Sequence, residues 1–159
     1  MDNLLHIISP FGAAELNFVW RLLIAVILGS LMGLERSIAG KHAGMRTYAL
    51  VALGSCLFCL VSVLAGFELT SFAAVNPLQI AASVVIGIGF IGSGLAVMHG
   101  ENPIELTTAS GIWVAAGVGM ACGFGFYIIA ATAMVLTTIV FSLLGKVEHN
   151  IRTSWGVKA

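Results

Sequence analysis

The chain has 159 residues, of which 59% are hydrophobic and only 9% charged; its formal net charge is zero and its mean hydropathy is +1.06. Soluble domains average about a quarter charged residues, so a chain this poor in charge cannot cover a water-exposed surface, and its neutrality leaves no case for nucleic acid. The composition is that of an integral membrane protein whose first partner is the lipid bilayer.

In chain order, residues 1–13 form a short lead in which Ser9-Pro10 is placed to open an interfacial turn. No cleavable secretory signal is expected, because Asp2 is acidic and no Lys or Arg precedes Arg21. A transmembrane region is expected over 14–145 and a tail over 146–159. The first span covers about 14–34, with Arg21 inside it and Ala25, Gly29 and Gly33 at four-residue spacing on one face. A basic segment with Arg36, Lys41 and Arg46 follows, and Gly40 and Gly44 break the helix there.

The second span, about 47–66, carries no charge. Asn76-Pro77-Leu78-Gln79 reads as a helix start, with Asn as cap and Pro at the first helical position, and opens a third span to about 98. Asn102-Pro103-Ile104-Glu105 repeats the signal for a fourth span, about 103–122. Gly123-Phe124-Gly125 makes a tight turn into a fifth span, about 126–144, and the tail carries Lys146, Arg152 and Lys158.

Each run is about 20 residues, enough to cross a hydrocarbon core of ~30 Å as a helix. The runs are continuously apolar, without the period-two alternation of barrel strands. The expected fold is therefore an all-α polytopic membrane helix bundle with five transmembrane helices, or four if the last two pair without crossing. The placement of Lys and Arg puts the basic segment and the C-terminus in the cytoplasm and the N-terminus outside. Trp20, Phe126 and Tyr127 fit an aromatic belt at the outer interface.

Small residues mark the packing faces. Gly111, Ala115, Gly119 and Gly123 form a four-residue ladder on the fourth span, and Ser83/Gly87 and Gly89/Ser93 share that spacing on the third. Lipid offers no hydrophobic drive between helices, so close contact must supply the attraction. Either all these faces are internal to one compact chain, or one ladder is left over for a homo-oligomer.

These motifs resemble a known family. Arg21-Leu22-Leu23 with Gly33-Leu34-Glu35-Arg36 and Gly44-Met45-Arg46-Thr47 is similar to the opening signature of MgtC/SapB-type membrane proteins. Gly87-Ile88-Gly89-Phe90-Ile91-Gly92-Ser93-Gly94 resembles the family's glycine-rich third-span motif. Leu106-Thr107-Thr108-Ala109, Trp113-Val114-Ala115-Ala116 and Gly117-Val118-Gly119-Met120-Ala121-Cys122-Gly123 resemble its fourth-span motif. Ser37 departs from the pattern, which often has a second acidic residue there. The tail is expected to be too short for the soluble C-terminal domain of some relatives. The resemblance implies a bacterial inner-membrane protein linked to growth in low magnesium and to virulence. It also implies action through another membrane protein, such as the membrane-bound ATP synthase, more than magnesium transport itself.

The residues can be weighed on their own. A magnesium path needs hard oxygen ligands, yet 47–66, 78–98 and 106–145 carry no charge at all. A path lined by backbone carbonyls of the glycine-rich third span stays open as the alternative, that of a small transporter or channel for magnesium or another ion. Arg21 either snorkels to the headgroups or bonds carbonyls at the Cys122–Gly125 end of the fourth span, or Glu68, inside the bundle. Glu35 and Arg36 are expected to point to different sides of a helix and not to pair, leaving Glu35 to reach Arg46, Lys41 or the start of the fourth span. With Thr107 and Thr108 these residues form a candidate polar cluster, either a structural latch or a binding site. Cys56-Leu57-Phe58-Cys59 lies in an apolar span where thiols stay inert, and His6, His42, His99 and His149 are isolated, so no metal site, cofactor or catalytic residue is expected.

Overall fold

A computed structural model describes residues 13–68, 76–97 and 106–154. Among them the elements are α1 (Ala13–Ile38), α2 (Met45–Glu68), α3 (Pro77–Val97), α4 (Leu106–Gly123), α5 (Tyr127–Ile139), a π turn (Val140–Leu144) and α6 (Gly145–Ser154). Five stretches are long and apolar enough to cross a membrane: Leu16–Ile38, Met45–Gly66, Leu78–Leu95, Leu106–Gly123 and Tyr127–Glu148. In hydrocarbon every backbone N–H and C=O must find its partner inside the segment, which is why continuous apolar runs become helices here.

The helix ends follow local chemistry. Asn76 caps α3 as expected: the Leu78 N–H donates to Asn76 Oδ1 at 3.0 Å and the Gln79 N–H to the Asn76 carbonyl at 3.0 Å. The second such signal, at Asn102-Pro103, lies outside the described residues. α1 and α4 both end in a Schellman motif with a left-handed glycine. Gly40 has φ +68°, with Lys41 N–H bonded to Arg36 O and Gly40 N–H to Ser37 O. Gly125 has φ +84°, with Phe126 N–H bonded to Ala121 O and Gly125 N–H to Cys122 O. α1 thus runs past Leu34, so Glu35 and Arg36 lie on its last turns. Ser37 also serves the next helix, its Oγ accepting the otherwise orphan Met45 N–H at 2.8 Å.

α2 is the centre of the bundle. Tyr48, Ala52, Cys56 and Cys59, spaced four, four and three residues apart, are all fully buried. Glycines on two sides let α1 and α4 close onto that stripe. A Cβ added to Gly29 would lie 2.7 Å from the Tyr48 carbonyl oxygen, and one on Gly33 2.6 Å from Met45 Cα. On α4, a Cβ on Gly119 would strike the Ala52 backbone, and one on Gly123 would lie 2.8 Å from Cys59 Cβ. Ala115 is fully buried on the same face, and Gly111 faces the Tyr48 and Phe141 rings.

Of the two small-residue ladders, that of the third helix is left over. α4 buries 50% of its span but α3 only 6%, and Cβ atoms added at Gly87 or Gly89 would meet nothing within 4 Å. These two glycines do not pack against the described helices. α3 sits at the periphery with Ile88 as its buried residue, so spacing that forms an interface on α4 faces outward on α3.

The close approach of α4 to α2 yields a prediction. Gly119→Ala should lower the unfolding midpoint of the detergent-purified protein, by an equivalent of about 1–3 kcal/mol, because the added methyl meets backbone that cannot turn aside. Gly117→Ala, on the same helix but with open space at its Cβ, should leave that midpoint unchanged.

Candidate functional site

The most polar buried region lies where the end of α1 meets the start of α2, the first turns of α4 and the π turn. Arg36 is 5% exposed. Its Nε donates to Glu35 Oε2 at 2.5 Å and its Nη2 to Glu35 Oε1 at 2.9 Å, a bidentate pair. This corrects the expectation that helix neighbours would not pair. That rule describes Cβ directions on an isolated helix. Here the guanidinium carbon sits over the Phe141 ring, 3.9 Å from its centroid, and the side chain held there reaches the adjoining carboxylate. A guanidinium stacked in a dry setting gains about 2 kcal/mol from the ring. The carboxylate offsets its charge, which would otherwise be buried without a partner.

The contacts continue inward. Phe141 meets the Tyr48 ring edge-on, with centroids 6.4 Å apart and planes at 82°. The Tyr48 hydroxyl donates to the Thr108 carbonyl at 3.1 Å. Gly111 leaves room for both rings, since a Cβ there would collide with the Tyr48 hydroxyl and with Phe141 Cζ. Thr108 is buried, and its Oγ1 has no hydrogen-bond partner among the described residues. Phe141 is the buried residue of the π turn, a helical irregularity that recurs at functional positions.

Of the expected polar cluster, Glu35, Arg36 and Thr108 are joined through Tyr48 and Phe141. Thr107 and Arg46 are exposed and stand outside it. Arg46 instead lines a shallow cup with Lys41 and His42 on the α1–α2 loop. Sequence reasoning missed Tyr48 and Phe141. The available signal was the phenol itself, a hydroxyl within an uncharged span that needs a buried acceptor.

The second intramembrane charge lies about 22 Å away along α1, fifteen residues at 1.5 Å each. Arg21 donates from Nη1 to the Gly123 carbonyl at 2.7 Å and from Nε to Asn17 Oδ1 at 3.0 Å, with its guanidinium 5.7 Å from the Phe18 centroid. The Schellman motif satisfies Ala121 and Cys122 but leaves the Gly123 carbonyl at the negative end of α4, and Arg21 fills that place. This bond reaches the Cys122–Gly125 end of the fourth span, the contact named for the internal reading of Arg21. The Glu68 side chain lies outside the described residues.

The three cysteines are free and buried. Among the described residues no three His, Cys, Asp or Glu side chains gather closely enough to hold a metal ion. The arrangement is that of two internal latches, one at each end of α1, each joining it to another helix.

Comparison with known proteins agrees with this architecture. The sequence pattern of the MgtC family matches residues 22–150. The chain is 40% identical over 137 residues to the proposed magnesium transporter YhiD of Escherichia coli (strain K12), covering 85% of this chain and 64% of that protein. It is 34% identical over 138 residues to protein SapB of Bacillus subtilis (85% and 60%), and 40% identical over 121 residues to protein MgtC of Salmonella typhimurium (75% and 49%). The chain thus spans between about half and two-thirds of the length of these relatives. No solved structure matches it.

The two latches should be separable by stability measurements. In a double-mutant cycle of Glu35→Gln and Arg36→Gln, the Glu35 change should cost about 3–5 kcal/mol by leaving buried Arg36 unpaired, and the Arg36 change less, because the Glu35 side chain is 23% exposed. The double variant should lose much less than the sum, read from denaturant or thermal unfolding in detergent. Arg21→Leu should cost about 1.5–3 kcal/mol by uncapping Gly123, additively with the Glu35 and Arg36 changes because the sites share no contact.

Proposed function

Because this chain belongs to the MgtC family, we propose that it is a non-enzymatic protein of the bacterial inner membrane that adapts the cell to magnesium limitation by modulating another membrane protein. In this reading the basic α1–α2 loop and the C-terminus face the cytoplasm, as their Lys and Arg residues favour. The partner class implied by the family resemblance is a membrane-embedded assembly such as the ATP synthase.

The observation that carries this reading is the use made of the intramembrane charges. Arg36 and Glu35 neutralise one another under Phe141, and Arg21 is committed to the Gly123 carbonyl and Asn17. A cation path needs carboxylates or carbonyls that face a wet cavity and exchange with the ion. These groups instead hold helices together. The glycine contacts of α1 and α4 with α2 likewise close the space between those helices.

A second reading, a small transporter of magnesium, draws on the name of the relative YhiD. Reconstitution separates the two. Purified protein in liposomes should give no magnesium entry above that of protein-free liposomes. Saturable entry that Glu35→Ala abolishes would overturn the modulator reading. In cells, in-membrane crosslinking should recover a membrane protein partner.

A further inference from the structure

A groove of about 780 Å³ runs between α2 and α3, from Thr47 and Ile91 at one end to Phe58 and Ile80 at the other. Its polar lining is slight, and Ser83 on its wall spends its hydroxyl on its own helix, donating to the Gln79 carbonyl at 3.0 Å. Gly54 on α2 and Gly87 on α3 both line it, and a Cβ at either would meet nothing within 4 Å. Along α2 the groove runs from Thr47 to Phe58, eleven steps of 1.5 Å or about 16 Å. That is about half of a ~30 Å hydrocarbon core, the depth of one leaflet. A partner helix crossing the membrane would need a groove twice as long.

The groove also opens at a charged end. Thr47 lines both it and the loop cup, about 380 Å³, whose described wall holds Lys41, His42 and Arg46 with the hydroxyls of Ser37 and Thr47. The Ser37 hydroxyl accepts from Met45 N–H and keeps its own proton to donate. An apolar slot one leaflet deep that ends in a basic, hydroxyl-lined cup matches a chain-bearing anion. We propose that the groove and the cup together hold one anionic phospholipid, an acyl chain along α2–α3 and its phosphate against Lys41 and Arg46. The site is independent of whether the protein modulates a partner or moves an ion.

Native mass spectrometry of the detergent-purified protein with added lipid tests this. Phosphatidylglycerol should be retained roughly thirtyfold more strongly than phosphatidylcholine of the same chains, as expected for two basic groups, each contributing about 1 kcal/mol, near a headgroup of net negative charge. Lys41→Gln with Arg46→Gln should abolish that preference while leaving weak binding of both lipids. Gly54→Leu, or independently Gly87→Leu, should remove binding of both lipids at an unchanged unfolding midpoint, since each side chain enters open space on a different helix. Equal retention of the two lipids by the native protein would overturn the proposal. So would undiminished phosphatidylglycerol binding in both leucine variants, or complete competition by glycerol phosphate, which would mean that a soluble phosphate suffices. A dimer that both leucine variants dissociate would assign the groove to a second copy and overturn it as well.

Discussion

A helix in hydrocarbon gains nothing by trading lipid for another apolar surface, so what holds a membrane bundle together is how closely its backbones can meet. In this chain that approach is concentrated on α2. Its Tyr48–Ala52–Cys56–Cys59 stripe receives Gly29 and Gly33 from α1 on one side and Gly119 and Gly123 from α4 on the other. The separation at these points is smaller than any side chain permits, and the positions of all remaining groups follow from it. α3, which lacks such an approach, is left at the periphery.

The polar interior is a consequence of that packing. With α1, α2 and α4 this close, the start of α2 places the Tyr48 hydroxyl beside the Thr108 carbonyl, and Gly111 opens the space into which Phe141 enters. Phe141 in turn gives Arg36 a surface to lie on, and Arg36 is turned to Glu35. At the other end of α1 the same closeness sets Arg21 under the last carbonyl of α4. Each charge therefore reports a junction between helices. Arg36 and Arg21 are each engaged with a group on another helical segment, the Phe141 ring and the Gly123 carbonyl.

The two faces of α2 have different fates for the same reason. Toward α1 and α4, glycine brings backbone to backbone; toward α3, Gly54 and Gly87 line a groove that the described residues leave open. That gap ends at the basic loop, so the lipid-facing side of the bundle carries the chemistry of a headgroup and a chain.

What the sequence by itself determined is what depends on neighbours along the chain. The number and type of spans follow from continuous apolar runs, the start of α3 from Asn76 and Pro77, and the end of α1 from Gly40. The α4 ladder was legible from its four-residue spacing, and the candidate cluster was half legible, since Glu35, Arg36 and Thr108 could be singled out as polar groups near one end. Only the tertiary structure decided which glycine face is buried, because Gly87 and Gly119 carry the same local signal and lipid is as apolar as a neighbouring helix. It alone decided that Glu35 pairs with Arg36, through a ring from a residue more than a hundred positions away, and that Arg21 turns inward to Gly123. Those outcomes rest on distances between helices, and no periodicity within a single helix encodes them.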